Sequence, residues 1–293
     1  MVPKVSERIP SVGLGTFRLK GEVVQQPLRD AIRLGYRHID TAAIYRNEKE
    51  IGSILQELYR DESNQLSRSD LWITSKLSPY DMENPRASLL QSLSALQTDY
   101  LDLYLIHWPA VVRKVPTNPM HKILRLEAWR ALNEAKREGI VRNIGVSNFT
   151  PNHIQEFLHE TDYGIQGIFV QMEIHPWYWR DAFEIQTKFS KHSLVLTGYA
   201  LLAEGKLSNS SCPEILETIR ERLGITRVQV ILAWVLYKGW TILVKSEDVT
   251  HLEQNLAADK MVRLLTPEDC AAIDAISSEG EEEKRCWDPR AVV

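Results

Sequence analysis

The feature that most constrains the fold is a regular alternation of short apolar runs with longer amphipathic segments along the 293 residues. The short runs are rich in Val, Ile and Leu, and each is followed by a segment long enough to return across a sheet, which is typical of parallel strands joined by helical crossovers. Eight runs predict strands, over residues 12–15, 36–41, 71–76, 101–107, 142–148, 168–173, 194–199 and 242–246. We therefore expect an α/β fold.

The intervening segments predict helices because their apolar residues recur at helical spacing. They cover residues 24–34, 48–59, 85–96, 124–138, 152–159 and 181–191, followed by two helices within 212–237 that break at 224–226, and one over 267–276. No long linker interrupts the pattern, so we expect a single domain over 1–293. The alternation alone fits a closed barrel and an open doubly wound sheet equally well.

Composition and charge narrow the class of partner. Hydrophobic residues make up 44% and charged residues 25%, as in an ordinary globular protein, and the formal net charge is −4 with scattered cations. Nucleic-acid binding needs clustered cations, so we expect no nucleic-acid partner. Because no apolar run approaches the roughly 20 residues that span a bilayer, and the N-terminus lacks the apolar core of a signal peptide, we expect a soluble cytoplasmic protein without a membrane partner.

The cysteines and histidines do not predict a metal site. Cys212, Cys270 and Cys286 are widely spaced and form no CxxC pair. A metal-dependent barrel hydrolase would place several His residues at strand ends, but His38 lies within a predicted strand and only His107 ends one. This alternative is therefore disfavoured.

Polar residues end nearly all of the predicted strands. In a β/α barrel the C-terminal strand ends form the active-site mouth, although one polar strand end is equally explained by the chain leaving the core. A buried cation at Lys76 would need a carboxylate partner, which Asp40 on the neighbouring strand can supply. The polar strand ends are Asp40, Lys76, His107, Ser147, Asn148, Gln171, Glu173, Tyr199, Lys245 and Ser246.

Three long blocks of sequence resemble the aldo-keto reductase family: GYRHIDTAAIYRNEKEIG at 35–52, LDLYLIHWP at 101–109 and GIVRNIGVSNF at 139–149. Shorter matches follow in the same order, VQMEIHPW at 170–177, GYALL at 198–202 and ILVKS at 242–246, so the resemblance covers almost the entire chain. It implies a (β/α)8 TIM barrel with extra helices and a C-terminal tail loop over the barrel mouth. It also implies a monomer.

The resemblance implies an oxidoreductase that reduces aldehydes or ketones to alcohols with NADPH, using a catalytic tetrad of Asp40, Tyr45, Lys76 and His107. Hydride transfer leaves negative charge on the carbonyl oxygen, which Tyr45 would neutralise as proton donor. The ammonium of Lys76, held by Asp40, would lower the pKa of the Tyr45 phenol. His107 would donate a hydrogen bond to the substrate oxygen.

No GxGxxG motif follows a strand, so the chain lacks the fingerprint of a Rossmann domain. The resemblance instead implies NADPH extended across the barrel mouth, with Lys245 and Ser246 holding its 2′-phosphate. The family commonly has Arg in place of His251 and Glu in place of Gln254, so use of NADH stays open. The implied cofactor-binding residues are Thr16, Asp40, Ser147, Asn148, Gln171, Tyr199, Leu201, Lys245, Ser246, His251, Gln254 and Asn255.

The implied substrate pocket is formed by Phe17, His107, Trp108 and, from the tail, Trp287. Such an apolar pocket suits hydrophobic or aromatic small-molecule carbonyl compounds. A different class of function stays open, a protein that binds NADPH on the same scaffold without catalysis, because function resides in the site and not in the fold. The complete tetrad favours the enzyme.

Overall fold

The computed structural model describes residues 8–208, 212–277 and 282–293. Within these residues eight parallel strands close into a barrel in chain order, with β8 returning to pair with β1. The strands β1 to β8 are Val12–Gly15, His38–Asp40, Trp72–Leu77, Leu101–Ile106, Val141–Ser147, Phe169–Glu173, Val195–Tyr199 and Thr241–Val244. The closed barrel that the resemblance implied is confirmed, and the open sheet is excluded.

Helices surround the barrel and return the chain from one strand to the next. In the described residues α1 to α10 are Gln25–Leu34, Glu48–Arg60, Pro85–Leu96, Met120–Arg137, Pro151–Glu160, Arg180–Lys188, Glu214–Leu223, Arg227–Tyr237, Val249–Met261 and Pro267–Asp274. None of them is long and apolar enough to cross a membrane.

The predicted break between α7 and α8 has a clear local cause. Gly224 ends α7 with φ 64°, a left-handed conformation that glycine adopts without strain. Thr226 then begins α8, since its hydroxyl accepts a hydrogen bond from the Gln229 backbone N–H at 3.1 Å. The sequence signals at 224–226 therefore predicted the turn correctly.

Helix α9 was not predicted from the sequence. Of its buried residues only Leu252 and Ala258 are apolar, and the third is Asn255, so the helix carries no continuous apolar stripe. It is started by Asp248, whose Oδ1 accepts hydrogen bonds from the backbone N–H groups of Thr250 at 2.7 Å and His251 at 3.3 Å. Helix α9 packs mainly against α8 and α1.

The C-terminal residues 282–293, called the tail here, return to the barrel mouth as the resemblance implied. The Glu283 N–H donates to the Trp177 carbonyl at 2.9 Å, just beyond β6. At the far end the Val293 N–H donates to the Pro116 carbonyl at 3.1 Å, in the loop that follows β4. The tail therefore spans loops from different sectors of the barrel.

Candidate active site

Strand register brings Asp40 and Lys76 together. Asp40 pairs with Thr74, and Lys76 lies two residues beyond Thr74, so the side chains lie on the same face of the sheet. Lys76 Nζ donates to Asp40 Oδ1 at 2.5 Å and to the Thr41 carbonyl at 2.8 Å. Gln171 Nε2 donates to the other Asp40 oxygen at 2.8 Å. The ion pair expected from the sequence is therefore present and buried.

Burial dominates the electrostatics of this pair. It raises the pKa of Asp40 and lowers the pKa of Lys76, because each charge has lost its hydration. The direct contact between the two groups opposes both shifts. The charge on each side chain therefore depends on the presence of the other.

Tyr45 and His107 lie beside this ion pair. Tyr45 ends a short 3-10 turn, Ala43–Tyr45, that follows β2, and Lys76 Nζ lies 5.1 Å from the centre of its ring. His107 directly follows β4, and its ring centre is 5.6 Å from that of Tyr45 at an interplanar angle of 74°. The structure thus brings all four residues of the expected tetrad to one part of the barrel mouth.

The pKa of Tyr45 is raised, opposite to the lowering expected from Lys76. Burial raises the pKa of the Tyr45 phenol well above its ordinary value of 10.0, and the negative charge of Asp40 adds to the shift. The ammonium of Lys76, which is in direct contact with Asp40, does not reverse this shift. Tyr45 is therefore a neutral phenol near pH 7, which can donate a proton.

His107 is also neutral near pH 7. Burial, followed by the charge of Lys76, lowers the pKa of its imidazole well below 6.5. A neutral imidazole carries one N–H, so it can donate one hydrogen bond to a bound group without adding a positive charge. This is the state expected for a group that orients a carbonyl oxygen.

A polar wall extends from Asp40 to Tyr199 across β5, β6 and β7. Asn148 adopts φ 64°, a left-handed conformation that Asn tolerates better than most residues. Its side-chain amide donates to the His107 carbonyl and to Ser147 Oγ, both at 3.0 Å, and its Oδ1 accepts a hydrogen bond from the Tyr199 hydroxyl. Ser147 pairs in register with Gln171, which holds Asp40. The expected cofactor-binding residues Ser147, Asn148 and Gln171 are therefore linked to the tetrad.

A cavity of about 640 Å³ opens over these residues, a size in the usual range for small-molecule sites. It is lined by most of the residues singled out from the sequence. They are Phe17, Asp40, Tyr45, His107, Trp108, Ser147, Asn148, Gln171, Tyr199, Leu201, Lys245, Asn255 and Trp287.

Four expected cofactor residues lie outside the lining of this cavity. Thr16 is fully buried beneath it, with Oγ1 donating to the Asp40 carbonyl at 2.9 Å. Ser246 precedes α9, and its Oγ accepts a hydrogen bond from the Asp248 N–H at 3.0 Å. His251 and Gln254 line a second cavity of about 760 Å³, which adjoins the first because Val228 lines both.

Aromatic side chains form the rim of the first cavity. Phe17 is 50% exposed, and its ring centre lies 5.1 Å from that of Tyr45. Trp287, from the tail, contacts Trp108 edge-on with ring centres 4.8 Å apart. The rim is therefore formed jointly by the barrel loops and by the tail.

Sequence reasoning missed several residues that line the cavity. Arg18 and Glu204 form an exposed ion pair at 3.2 Å between the loops that follow β1 and β7. Arg285 and Cys286 reach the cavity from the tail. These residues lie in loops without periodicity, so no pattern in the sequence indicated that they converge. No cluster of three or more His, Cys, Asp or Glu residues in the described segments could hold a metal ion.

Comparison with known proteins gives consistent matches. The model of the Aldo/keto reductase family matches residues 11–278. The methylglyoxal reductase DkgB of Escherichia coli O157:H7 is 36% identical over 271 residues, covering 92% of this chain and 93% of the relative.

Solved structures agree with these sequence matches. The aldose reductase of Giardia lamblia superposes with a TM-score of 0.77 at 32% identity, covering 91% of this chain and 92% of that one. An aldo-keto reductase of Bombyx mori, solved in complex with NADP, gives a TM-score of 0.80 at 26% identity, covering 95% and 92%.

Proposed function

Because the chain belongs to the aldo/keto reductase family, we propose that it reduces aldehydes or ketones to alcohols with NADPH, using Tyr45 as proton donor assisted by Lys76, Asp40 and His107. One observation carries the proposal: Tyr45, His107 and Asp40 line one aromatic-rimmed cavity, and the fully buried Lys76 pairs with Asp40. The methylglyoxal reductase and aldose reductase activities named for its relatives support a small carbonyl substrate.

The residues present fit a nicotinamide cofactor. Ser147, Asn148 and Gln171 offer hydrogen-bond donors and acceptors to a carboxamide, and Tyr199 provides a ring beside them. The NADP found with the Bombyx mori relative supports NADPH. When bound, the cofactor supplies the hydride.

The 2′-phosphate of NADPH would be held by Lys245, an exposed cation at the cavity rim, with Ser246 beside it. The two expected contacts on α9, His251 and Gln254, would act from the second cavity. Since Asp248 already binds the first N–H groups of α9, and His251 stands where the family commonly has Arg, use of NADH remains part of the proposal.

The protein's part of the reaction follows from the ionisation states. Neutral His107 donates a hydrogen bond to the carbonyl oxygen and orients it beside Tyr45. As negative charge develops on that oxygen, the Tyr45 phenol donates its proton. Lys76 then stabilises the resulting phenolate, and Asp40 holds the ammonium in place through the 2.5 Å contact. Burial makes each of these electrostatic interactions stronger than in water.

The remaining parts of the proposal concern the state of the protein. We propose a single-domain monomer over 1–293 that acts in the cytoplasm without a nucleic-acid partner. The small net charge of −4, with its scattered cations, supports the last point. Sedimentation equilibrium tests the monomer.

The test of function is a steady-state assay of the purified chain with NADPH, NADH, an aromatic aldehyde and methylglyoxal. Tyr45→Phe removes only the phenolic hydroxyl, and we expect kcat to fall by about 10² to 10⁴, the usual contribution of a general acid. Tyr237→Phe, at the end of α8, is the matched control and should keep wild-type kcat. Binding of NADPH without turnover of any carbonyl would favour a cofactor-binding protein instead.

A further inference from the structure

Glu173 is a buried carboxylate that the proposed reaction does not use. It ends β6 at the barrel mouth and is 0% exposed. Its two oxygens accept four hydrogen bonds, one of them from His175 Nε2 at 2.9 Å. A buried carboxylate requires such compensation, because an unpaired charge in this position would be strongly destabilising.

The other three hydrogen bonds come from the tail. Lys284 Nζ and the Cys286 N–H donate to Oε2 at 2.6 and 3.0 Å, and the Arg285 N–H donates to Oε1 at 2.6 Å. Lys284 also lies 4.5 Å from the centre of the Tyr178 ring and is itself only 9% exposed. Glu173 therefore binds three consecutive tail residues that lie more than one hundred positions after it in the sequence.

Hydrogen bonding holds this carboxylate in its charged form. Burial alone would raise the pKa of Glu173, but the bonds from His175, Lys284 and the Arg285 N–H outweigh it and lower the pKa to about 2. The group is fully ionised at neutral pH. Bonds from two backbone N–H groups and an ammonium to a carboxylate are charge-assisted, the strong class of hydrogen bond.

The residues fixed by Glu173 lead directly into the candidate active site. Arg285, Cys286 and Trp287 line the main cavity, and Trp287 packs edge-on against Trp108. Trp287 is 49% exposed, so little besides this contact and the neighbouring attachment fixes its position. The location of the cavity wall thus depends on where residues 284–286 are held.

We propose that Glu173 is a positioning residue that determines substrate selectivity: its carboxylate fastens residues 284–286 over the barrel mouth and so places Trp287 against bulky apolar carbonyl substrates. The proposal rests on the proposed reductase function. A small carbonyl compound, bound at Tyr45 and His107 alone, does not depend on this wall. An aromatic carbonyl compound does.

The test is Glu173→Gln in the full chain. The amide keeps the shape, but its NH2 group replaces one oxygen and faces the two donors bound there, and the negative charge is lost, so the tail attachment is weakened. We expect the KM for an aromatic aldehyde to rise about tenfold, within the range that apolar pocket contacts control, while kcat and the KM for methylglyoxal stay within about twofold. Hydrogen exchange in peptides from 282–293 should become faster, because one of the two bound amides loses its acceptor and the other keeps only an uncharged one.

Asp102→Asn is the matched control. Asp102 is another buried carboxylate, bound by Arg68 at 2.8 Å, Arg142 at 3.0 Å and the Ile73 N–H at 2.9 Å, at the opposite end of the barrel. It should destabilise the protein without changing substrate preference or tail exchange. If Glu173→Gln does not fold, Lys284→Met removes one of the three hydrogen bonds from the tail and should raise the KM for the aromatic aldehyde about threefold.

The outcomes separate the two proposals. Unchanged tail exchange in Glu173→Gln, or equal loss with both substrates as in a general destabilisation, overturns the role of Glu173. Faster exchange with a selective rise in the aromatic KM supports it. If the wild type turns over neither substrate, the proposed function fails; tail exchange then decides the attachment by itself, with unchanged exchange overturning it and faster exchange supporting it.

Discussion

Replacing Asp40 by Asn tests whether the ammonium of Lys76 depends on its carboxylate partner. The substitution is nearly isosteric, and the Asn oxygen can still accept a hydrogen bond from Lys76, so the main change is the loss of one negative charge. Both side chains are almost fully buried, at 0% and 3% exposure. Lys76 would keep only the Thr41 carbonyl as a second acceptor.

The expected magnitude follows from the burial of this pair. Removing one partner of a buried ion pair destabilises a protein by about 3–5 kcal/mol, because the remaining charge is left without compensation. For a chain of this size each kcal/mol lowers Tm by roughly 2–4 °C, so Asp40→Asn should lower Tm by about 10 °C at pH 7. Differential scanning calorimetry measures this shift.

The double variant Asp40→Asn/Lys76→Met is the control for this prediction. It removes both charges, so it should recover part of the Tm that the single variant loses. A Tm within about 2 °C of wild type for Asp40→Asn would refute the reasoning, since it would mean that Asp40 and Lys76 are not a carboxylate paired with an ammonium. A double variant no more stable than the single one would refute it as well.

Two further predictions concern pH. The pKa of Glu173 falls from an ordinary 4.5 to about 2 in the folded protein, so the unfolded chain binds more protons between these values. The shift contributes about 3 kcal/mol of stability, which is complete above pH 5 and is lost as pH falls toward 2. Urea unfolding of wild type and Glu173→Gln should therefore converge below pH 3; a constant difference would contradict the shift. Since burial lowers the pKa of His107 and raises that of Tyr45, kcat/KM should show no step between pH 6 and 8.5, and an inflection near 6.5 would contradict the neutral assignment of His107.

Local sequence signals predicted the strands and helices well where packing and propensity agree. Helix α3 begins at Pro85 and ends at Leu96, as predicted, because proline favours the first turn and the apolar spacing ends there. Strand β1 also has its predicted bounds, Val12–Gly15. Helix α9 was missed because much of its surface is polar and its buried side includes Asn255.

The floor of the site was predictable because it is formed by strand ends. Asp40, Lys76 and His107 end neighbouring predicted strands, and in a β/α barrel the C-terminal strand ends share one mouth. The role of Glu173 was not predictable, because its partners at 284–286 approach through a loop whose path no periodicity encodes. The sign of the Tyr45 pKa shift was wrong because it depends on burial, which the sequence pattern does not report.

The central claim is that this cavity transfers hydride to a carbonyl carbon while Tyr45 supplies the proton. It is tested most directly in a single turnover with an aromatic aldehyde, excess protein and NADPH in which both hydrogens at C4 of the nicotinamide ring are deuterium. The alcohol is then analysed by mass spectrometry. We predict one deuterium on the carbinol carbon of the product with wild type and Tyr237→Phe, and at least a hundredfold slower formation with Tyr45→Phe. Alcohol without deuterium, or equal rates in all three proteins, would contradict the account.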